Sequence, residues 1–154
     1  MNNLSIRQAV EADIGSLAEI VGRYRCFQGV TLQNTQDIRS FLRERIEKSE
    51  SVILIAIDNP SDDIVGFAQL YPTFSTVSLQ RQWLLNDLYV DAGKRNAGIG
   101  SLLMEAVKTN FRGKAKGFIL VAEKTNTSAK RFYDKHGWQT DHFDFYSYFY
   151  GTNT

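Results

Sequence analysis

Asn86-Asp87-Leu88-Tyr89-Val90-Asp91-Ala92-Gly93-Lys94-Arg95-Asn96-Ala97-Gly98-Ile99-Gly100 is the stretch on which the reading of this chain turns. Trp83 to Val90 is rich in aromatic and branched side chains, as a strand requires. Ile99, Leu102, Leu103, Ala106, Val107 and Phe111 then recur at helical spacing. Between them lies a short turn and a glycine-interrupted loop. A helix start offers unpaired N–H groups and the positive end of the helix dipole to an anion. Gly98 and Gly100 carry no side chains, so a phosphate can approach the backbone. Arg95 adds a positive charge, and the set suits a pyrophosphate. Taken alone, glycines before a helix fit a plain tight turn equally well. Two other phosphate-binding patterns are excluded. The chain has no G-x-x-x-x-G-K-[ST], and Gly98-Ile99-Gly100 is followed by Ser101-Leu102-Leu103 rather than completing G-x-G-x-x-G.

Working outward, Leu4 to Gln8 reads as a first strand. Ile14, Leu17, Ala18, Val21 and Tyr24 mark a first helix, with Asp13 as its cap. A second helix fits Thr35 to Lys48, with Thr35 as cap. Ser51 to Asp58 and Ile64 to Tyr71 form a hairpin across the turn residues Asn59 to Asp63. Pro72 to Gln82 reads as a polar connection. Beyond the central stretch, Gly117 to Ala122 is a strand and Thr127 to His136 a helix that stops before Gly137. Trp138 to Tyr150 is expected to supply two final strands, and Gly151 to Thr154 a loose tail. The order β α α β β β α β α β β predicts an α/β domain with a mixed sheet.

The second informative segment is Asn126-Thr127-Ser128-Ala129-Lys130-Arg131-Phe132-Tyr133-Asp134-Lys135-His136-Gly137-Trp138. With it, the chain resembles the GNAT superfamily of N-acetyltransferases. Arg95-Asn96-Ala97-Gly98-Ile99-Gly100 is similar to that family's [RQ]-x-x-G-x-[GA] loop. Asn126, Ala129, Phe132-Tyr133 and Gly137-Trp138 are similar to its second motif. The resemblance covers Ile64 to Tyr150, while Leu4 to Ile57 agrees only in element order. It implies residues 1–154 as one acetyltransferase domain, with a mixed, mostly antiparallel twisted sheet of about seven strands and about four flanking helices.

The resemblance also implies acetyl-CoA as cosubstrate and assigns parts to residues. In similar proteins the fourth and fifth strands diverge, and the pantetheine arm lies in the gap. That places backbone groups of Leu88, Tyr89 and Val90 against the arm. The N–H groups of Arg95, Asn96, Ala97, Gly98, Ile99 and Gly100 would hold the pyrophosphate. Asn126 would bond the pantetheine or the flanking backbone, with Arg131 or Lys135 near the phosphates. Tyr133 stands where many such enzymes place a general acid for the departing thiolate. A phenol with a pKa of about 10 can serve a thiolate whose conjugate acid lies near ~8.5. Packing beside Phe132 is the plainer role for the same ring.

The base is left open. An amine with a pKa near ~10.4 arrives protonated and must lose a proton before attack. Related polyamine acetyltransferases often carry a glutamate where this chain has Asn86, which takes no proton. Asp87 is adjacent, but strand alternation turns it to the opposite face. Glu123 is another candidate, and ordered water is the default route.

The pattern looks like the branch of polyamine, histone and amino-acid acetyltransferases, implying a small-molecule amine acceptor. The expected acceptor walls are Tyr24, Arg25, Phe27 and Gln28, then Phe74, Gln80 and Arg81, then His142 and Tyr146. Arg25 or Arg81 suits a carboxylate, or is a surface charge. Asp141 and Asp144 read as solvated turn residues. The aromatic run Phe143 to Tyr150 reads as sheet packing or a homodimer contact. A non-catalytic acyl-CoA-binding module would keep the same loop without needing Tyr133, and a protein lysine or N-terminal acetyltransferase would differ only in its acceptor.

Composition narrows the classes further. Eighteen Lys and Arg against 17 Asp and Glu give a net charge of +1 with no basic stripe, so no nucleic-acid partner is expected. The longest apolar run, Val52 to Ile57, is too short to cross a bilayer, and Met1 to Ala9 lacks a signal peptide's apolar core. One cysteine, Cys26, and two scattered histidines suggest neither a disulfide nor a metal site. The expectation is a cytoplasmic protein without metal or membrane partner.

Overall fold

The computed structural model describes residues 3–151. They fall into two compact units, one up to Val121 and one from Ala122 onward. The first unit holds a five-stranded sheet in the order β1-β2-β3-β4-β5, formed by Leu4–Gln8, Val52–Asp58, Asp63–Ser75, Gln80–Val90 and Phe118–Ile119. Neighbours run antiparallel from β1 to β4, and β5 lies parallel to β4. The helices of this unit are α1 (Ile14–Phe27), α2 (Thr35–Glu47) and α3 (Ile99–Phe111). The second unit contains α4 (Thr127–Lys135). Among the described residues no helix is long and apolar enough to cross a membrane.

The α/β fold with a mixed sheet and four α-helices is as expected, but the sheet has five strands rather than about seven. Trp138 to Tyr150 forms no strand, and Phe143, Phe145, Tyr146, Tyr148, Phe149 and Tyr150 are exposed. Alternating aromatics mimic a strand in sequence, yet a strand exists only when a ladder partner takes its N–H and C=O groups. The expected loose tail lies, past Gly151, outside the described residues.

The connection expected at Pro72 to Gln82 is mostly strand. β3 runs on to Ser75 and β4 begins at Gln80, paired from Tyr71↔Leu84 to Ser75↔Gln80. Pro72 is tolerated because β2 pairs with β3 only as far as Leu70, so beyond that point this edge of β3 has no strand partner among the described residues. Two expected helix caps also differ. Asn34, not Thr35, caps α2, accepting from the Gln36 N–H at 2.9 Å. Asp13 does not cap α1. Its carboxylate instead takes the Val10 N–H at 2.7 Å and both Arg7 guanidinium nitrogens at 2.8 Å.

Cross-strand partners point to the same face of a sheet. One face carries Ile53, Ile55, Phe67 and Tyr89, which pack with Leu17, Ile20, Ile38 and Leu42 of α1 and α2. The other carries Gly66, Ala68 and Leu70 with Leu85, Leu88 and Val90. On that face α3 lies close: a Cβ added at Gly66 would stand 3.2 Å from Leu103 and 3.4 Å from Ile99. Trp83 and Phe111 seal the far end of the same contact, ring centroids 4.6 Å apart.

Candidate active site

Two interruptions in β4 build the site. The first is on its β5 side, where pairing is limited to Trp83↔Phe118 and Leu84↔Ile119. From Leu85 to Val90 that edge has no strand neighbour among the described residues. The Leu88, Tyr89 and Val90 backbone thus lies on an open edge that an extended ligand arm could line. One group there is already engaged, since Arg95 Nε donates to the Val90 carbonyl at 3.0 Å.

The second interruption is a bulge. Gln69 pairs with Asp87 and Leu70 with Leu85, leaving Asn86 as an extra residue. A bulged residue shifts the alternation, so residues before and after it exchange faces. Leu85 therefore faces α3, whereas Asp87 and Tyr89 face α1 and α2. The face that Asp87 takes is thus set by the bulge rather than by simple alternation from Leu85.

After β4 the chain is pinned before it reaches the glycine loop. Arg23 holds Asp91 through two hydrogen bonds of 2.9 Å, and Lys94 meets Asp58 at 3.0 Å. The Arg95 guanidinium lies over the rings of Phe27 and Tyr89, 4.8 and 5.4 Å from their centroids. Its charge is thereby tied back to the α1 and β4 aromatics. Asn96 and Gly98 both adopt left-handed backbone, at φ 63° and 80°. Gly98 precedes α3 with no side chain capping the helix, whose first turn closes with Leu102 N–H on the Gly98 carbonyl at 3.1 Å. A Cβ at Gly98 would meet nothing within 4 Å. The residues fit a pyrophosphate: space stands before the glycine, and the helix start keeps its dipole for an anion.

On the α1/α2 face the bulge delivers Asp87 to a cavity of about 370 Å³. Phe41, Ile38, Leu42, Val21 and Phe67 supply apolar wall, and Gln69, Tyr71 and Tyr24 line it with polar atoms. Tyr24 Oη donates to one Asp87 oxygen at 2.9 Å, and Asn86 Nδ2 donates to the other at 3.0 Å. Burial pushes the Asp87 carboxyl above its ordinary value, against the downward pull of those two donors. Burial, helped by the Asp87 charge, pushes the Tyr71 phenol up to about 12. Gln69 is buried, and its Oε1 has no hydrogen-bond partner among the described residues.

Of the acceptor-wall residues expected from sequence, Tyr24 and Arg25 line this cavity. Phe27 instead stacks under Arg95 and Phe74 under Arg81. Sequence reasoning missed Phe41, Gln69 and Tyr71. The available signal was Gln69 itself, a lone amide in the otherwise apolar run Ile64 to Leu70.

The second unit carries the other motif. Asn126 Oδ1 caps α4, accepting the Ala129 N–H at 3.1 Å. Tyr133 packs between Phe132 and Trp138, with ring centroids at 5.7 and 6.0 Å. Burial raises its phenol pKa, so it keeps its proton throughout the neutral range. Arg131 and Lys135 are exposed on the same helix, and Glu123 accepts the Asn126 N–H through its carbonyl.

Residues 49–140 match the acetyltransferase (GNAT) domain family. The chain is 40% identical over 142 residues to the uncharacterized N-acetyltransferase YhfO of Bacillus subtilis (strain 168), spanning 90% of this chain and 91% of that protein. The crystal structure of a probable acetyltransferase superposes with a TM-score of 0.90 at 32% identity, covering 97% of this chain and 99% of the other. A predicted acetyltransferase from Clostridium acetobutylicum, solved with acetyl-CoA, shares the fold at a TM-score of 0.74 and 19% identity, over 94% and 96% of the two chains. This chain belongs to the GNAT acetyltransferase family.

Proposed function

We propose that the protein is an acetyl-CoA-dependent N-acetyltransferase that moves the acetyl group directly to a primary amine of a small molecule. The observation that carries this reading is the open β4 edge from Leu85 to Val90 leading into the uncapped start of α3. An extended pantetheine can pair with such an edge, and a pyrophosphate suits the helix start. Acetyl-CoA supplies a thioester whose carbonyl carbon accepts the amine. The N–H groups from Arg95 to Gly100 hold the pyrophosphate, and the backbone of Leu88 and Tyr89 aligns the arm.

Asn126, Arg131 and Lys135 keep the cofactor-binding parts that the family pattern gives them, and Tyr133 the part of general acid. Support for Tyr133 comes from its register within the motif. The acceptor reading rests on the cavity at Asp87, whose carboxylate suits an amine better than a hydroxyl.

The test is CoA release from acetyl-CoA with polyamines, single amino acids, a lysine-rich peptide and a blank without acceptor. Turnover above the blank with a small amine is expected. A preference for the peptide would move the reading to protein acetylation, and acetyl-CoA binding without turnover would move it to a binding module. Tyr133→Phe is expected to lower kcat about 10²-fold while leaving acetyl-CoA affinity unchanged. Equal loss of both would remove the acid assignment.

A further inference from the structure

Gln69 and Asp87 are cross-strand partners, so their side chains leave the sheet side by side into the cavity under α1 and α2. Both are acceptors. Asp87 already takes one bond on each oxygen, from Tyr24 and Asn86, and retains lone pairs on both. Gln69 Oε1 is buried without any partner among the described residues. A buried amide oxygen left in that state is destabilising unless something donates to it. An ammonium brings three donors, enough for Asp87 and Gln69 together, while an alcohol brings one.

The charges in the lining select further. Asp37 and Asp87 against Arg25 leave a single negative charge when all are ionised, and Arg45, which stacks over Phe41, is paired with Glu44 and Glu50. One ammonium balances it. A diamine would carry a second cation against Phe41, Ile38 and Leu42, and a free amino acid would bring a second anion toward Asp87. The volume of about 370 Å³ suits a small ligand.

We infer that this cavity takes the acceptor as a monoamine with an apolar body, its nitrogen held by Asp87 and Gln69, and that Asp87 receives the proton the nitrogen gives up. This rests on the transferase reading above. The ammonium loses two protons on its way to the amide. The C–N bond forms from the nitrogen lone pair, the C–S bond breaks, and its electron pair goes to sulfur. One proton ends on that sulfur, drawn from the pool of released protons. The other leaves through Asp87 to water. The titratable and charged groups lining the cavity with Asp87 are Tyr24 and Arg25 on α1, Asp37 on α2 and Tyr71 on β3. Activity should fall as pH drops through the Asp87 value, which burial holds above the ordinary carboxylate range.

The experiment compares phenethylamine, spermidine and glycine as acceptors for the full chain, with Asp87→Asn and Gln69→Leu as variants and acetyl-CoA binding measured by calorimetry. Phenethylamine is expected to exceed both others in kcat/KM by about tenfold, the scale of one unpaired charge or lost hydrogen bond. Asp87→Asn should lower kcat about 10²-fold or more and flatten the acid limb, with acetyl-CoA affinity within about twofold of the parent. Gln69→Leu should raise KM for phenethylamine about fivefold with kcat kept, which decides the matter even if Asp87→Asn does not fold. Equal or better turnover of spermidine or glycine overturns the inference. So does an Asp87→Asn enzyme with the parent's kcat and pH profile, or a Gln69→Leu enzyme with the parent's KM. Acetyl-CoA binding without phenethylamine turnover overturns this inference alone. Absence of acetyl-CoA binding overturns the transferase reading with it.

Discussion

On the α3 face, Leu103, Met104 and Val107 are wholly buried, and an added Cβ at Gly66 would lie 3.0 Å from the Tyr89 carbonyl oxygen. On the opposite face, the same strands leave a cavity of about 370 Å³ containing a carboxylate and an unpaired amide oxygen. One face is filled to the density that holds β4 in place, and the other keeps room and unmet polar groups. The difference is made within β4 by the extra residue Asn86, which sends Leu88 and Val90 to the first face and Asp87 and Tyr89 to the second. A rigid back therefore positions a hollow front, an arrangement suited to presenting reactive groups without losing their geometry.

The largest effect expected from this contrast is on the filled face. Leu103→Ala should cost about 2–5 kcal/mol of unfolding free energy, read from the denaturant midpoint, while the folded fraction keeps its turnover. A loss under about 1 kcal/mol would mean that the α3 face relaxes as readily as the cavity face. Gly66→Ala should cost about 1–3 kcal/mol, because the obstructing atom is backbone oxygen and cannot swing aside. A neutral result there would show β4 free to shift, and with it the positions of Leu88 to Val90.

The smallest effect on stability belongs to the hollow face. Tyr24→Phe should cost about 0.5–1.5 kcal/mol. Its sharper signature is in pH. Tyr24 donates to the ionised Asp87, so its removal raises the carboxyl pKa and moves the acid limb of activity to higher pH. An unmoved limb would separate that limb from Asp87. Two carboxylates of the first unit also pull stability in opposite directions. Asp87, with its pKa raised by burial, favours the fold below the unfolded value near ~3.9, a contribution lost as pH rises through the folded value. Asp13, lowered chiefly by its bond from Arg7, contributes above the unfolded value and loses that contribution as pH falls through its folded value.

Periodicity made much of this legible. Ile99, Leu103, Val107 and Phe111 repeat every four residues, and all four are buried on α3 as that spacing requires. The loop before it was legible because glycine and left-handed backbone go together, as Gly98 shows. The bulge was not, since Leu85-Asn86-Asp87-Leu88 carries no mark distinguishing an extra residue from ordinary alternation. Nor was the fate of Trp138 to Tyr150, because strand propensity says nothing about whether a partner edge is present. The part of the site that depends on the bulge, Asp87 beside Gln69, was therefore hidden, while the part that depends on the helix start was not.

The early end of the β4–β5 ladder has an evolutionary consequence. Recognition along an open strand edge is made by peptide groups, which every residue possesses, so mutation of the side chains at Leu85 to Val90 leaves the hydrogen-bonding groups of that edge in place. The side chains of Leu85 and Leu88 face α3 and those of Asp87 and Tyr89 face α1 and α2, where substitution changes what fits. Under the function proposed above, a lineage carrying this seam could drift toward new acceptors through Asp87, Gln69 and Phe41 without renegotiating how acetyl-CoA is held.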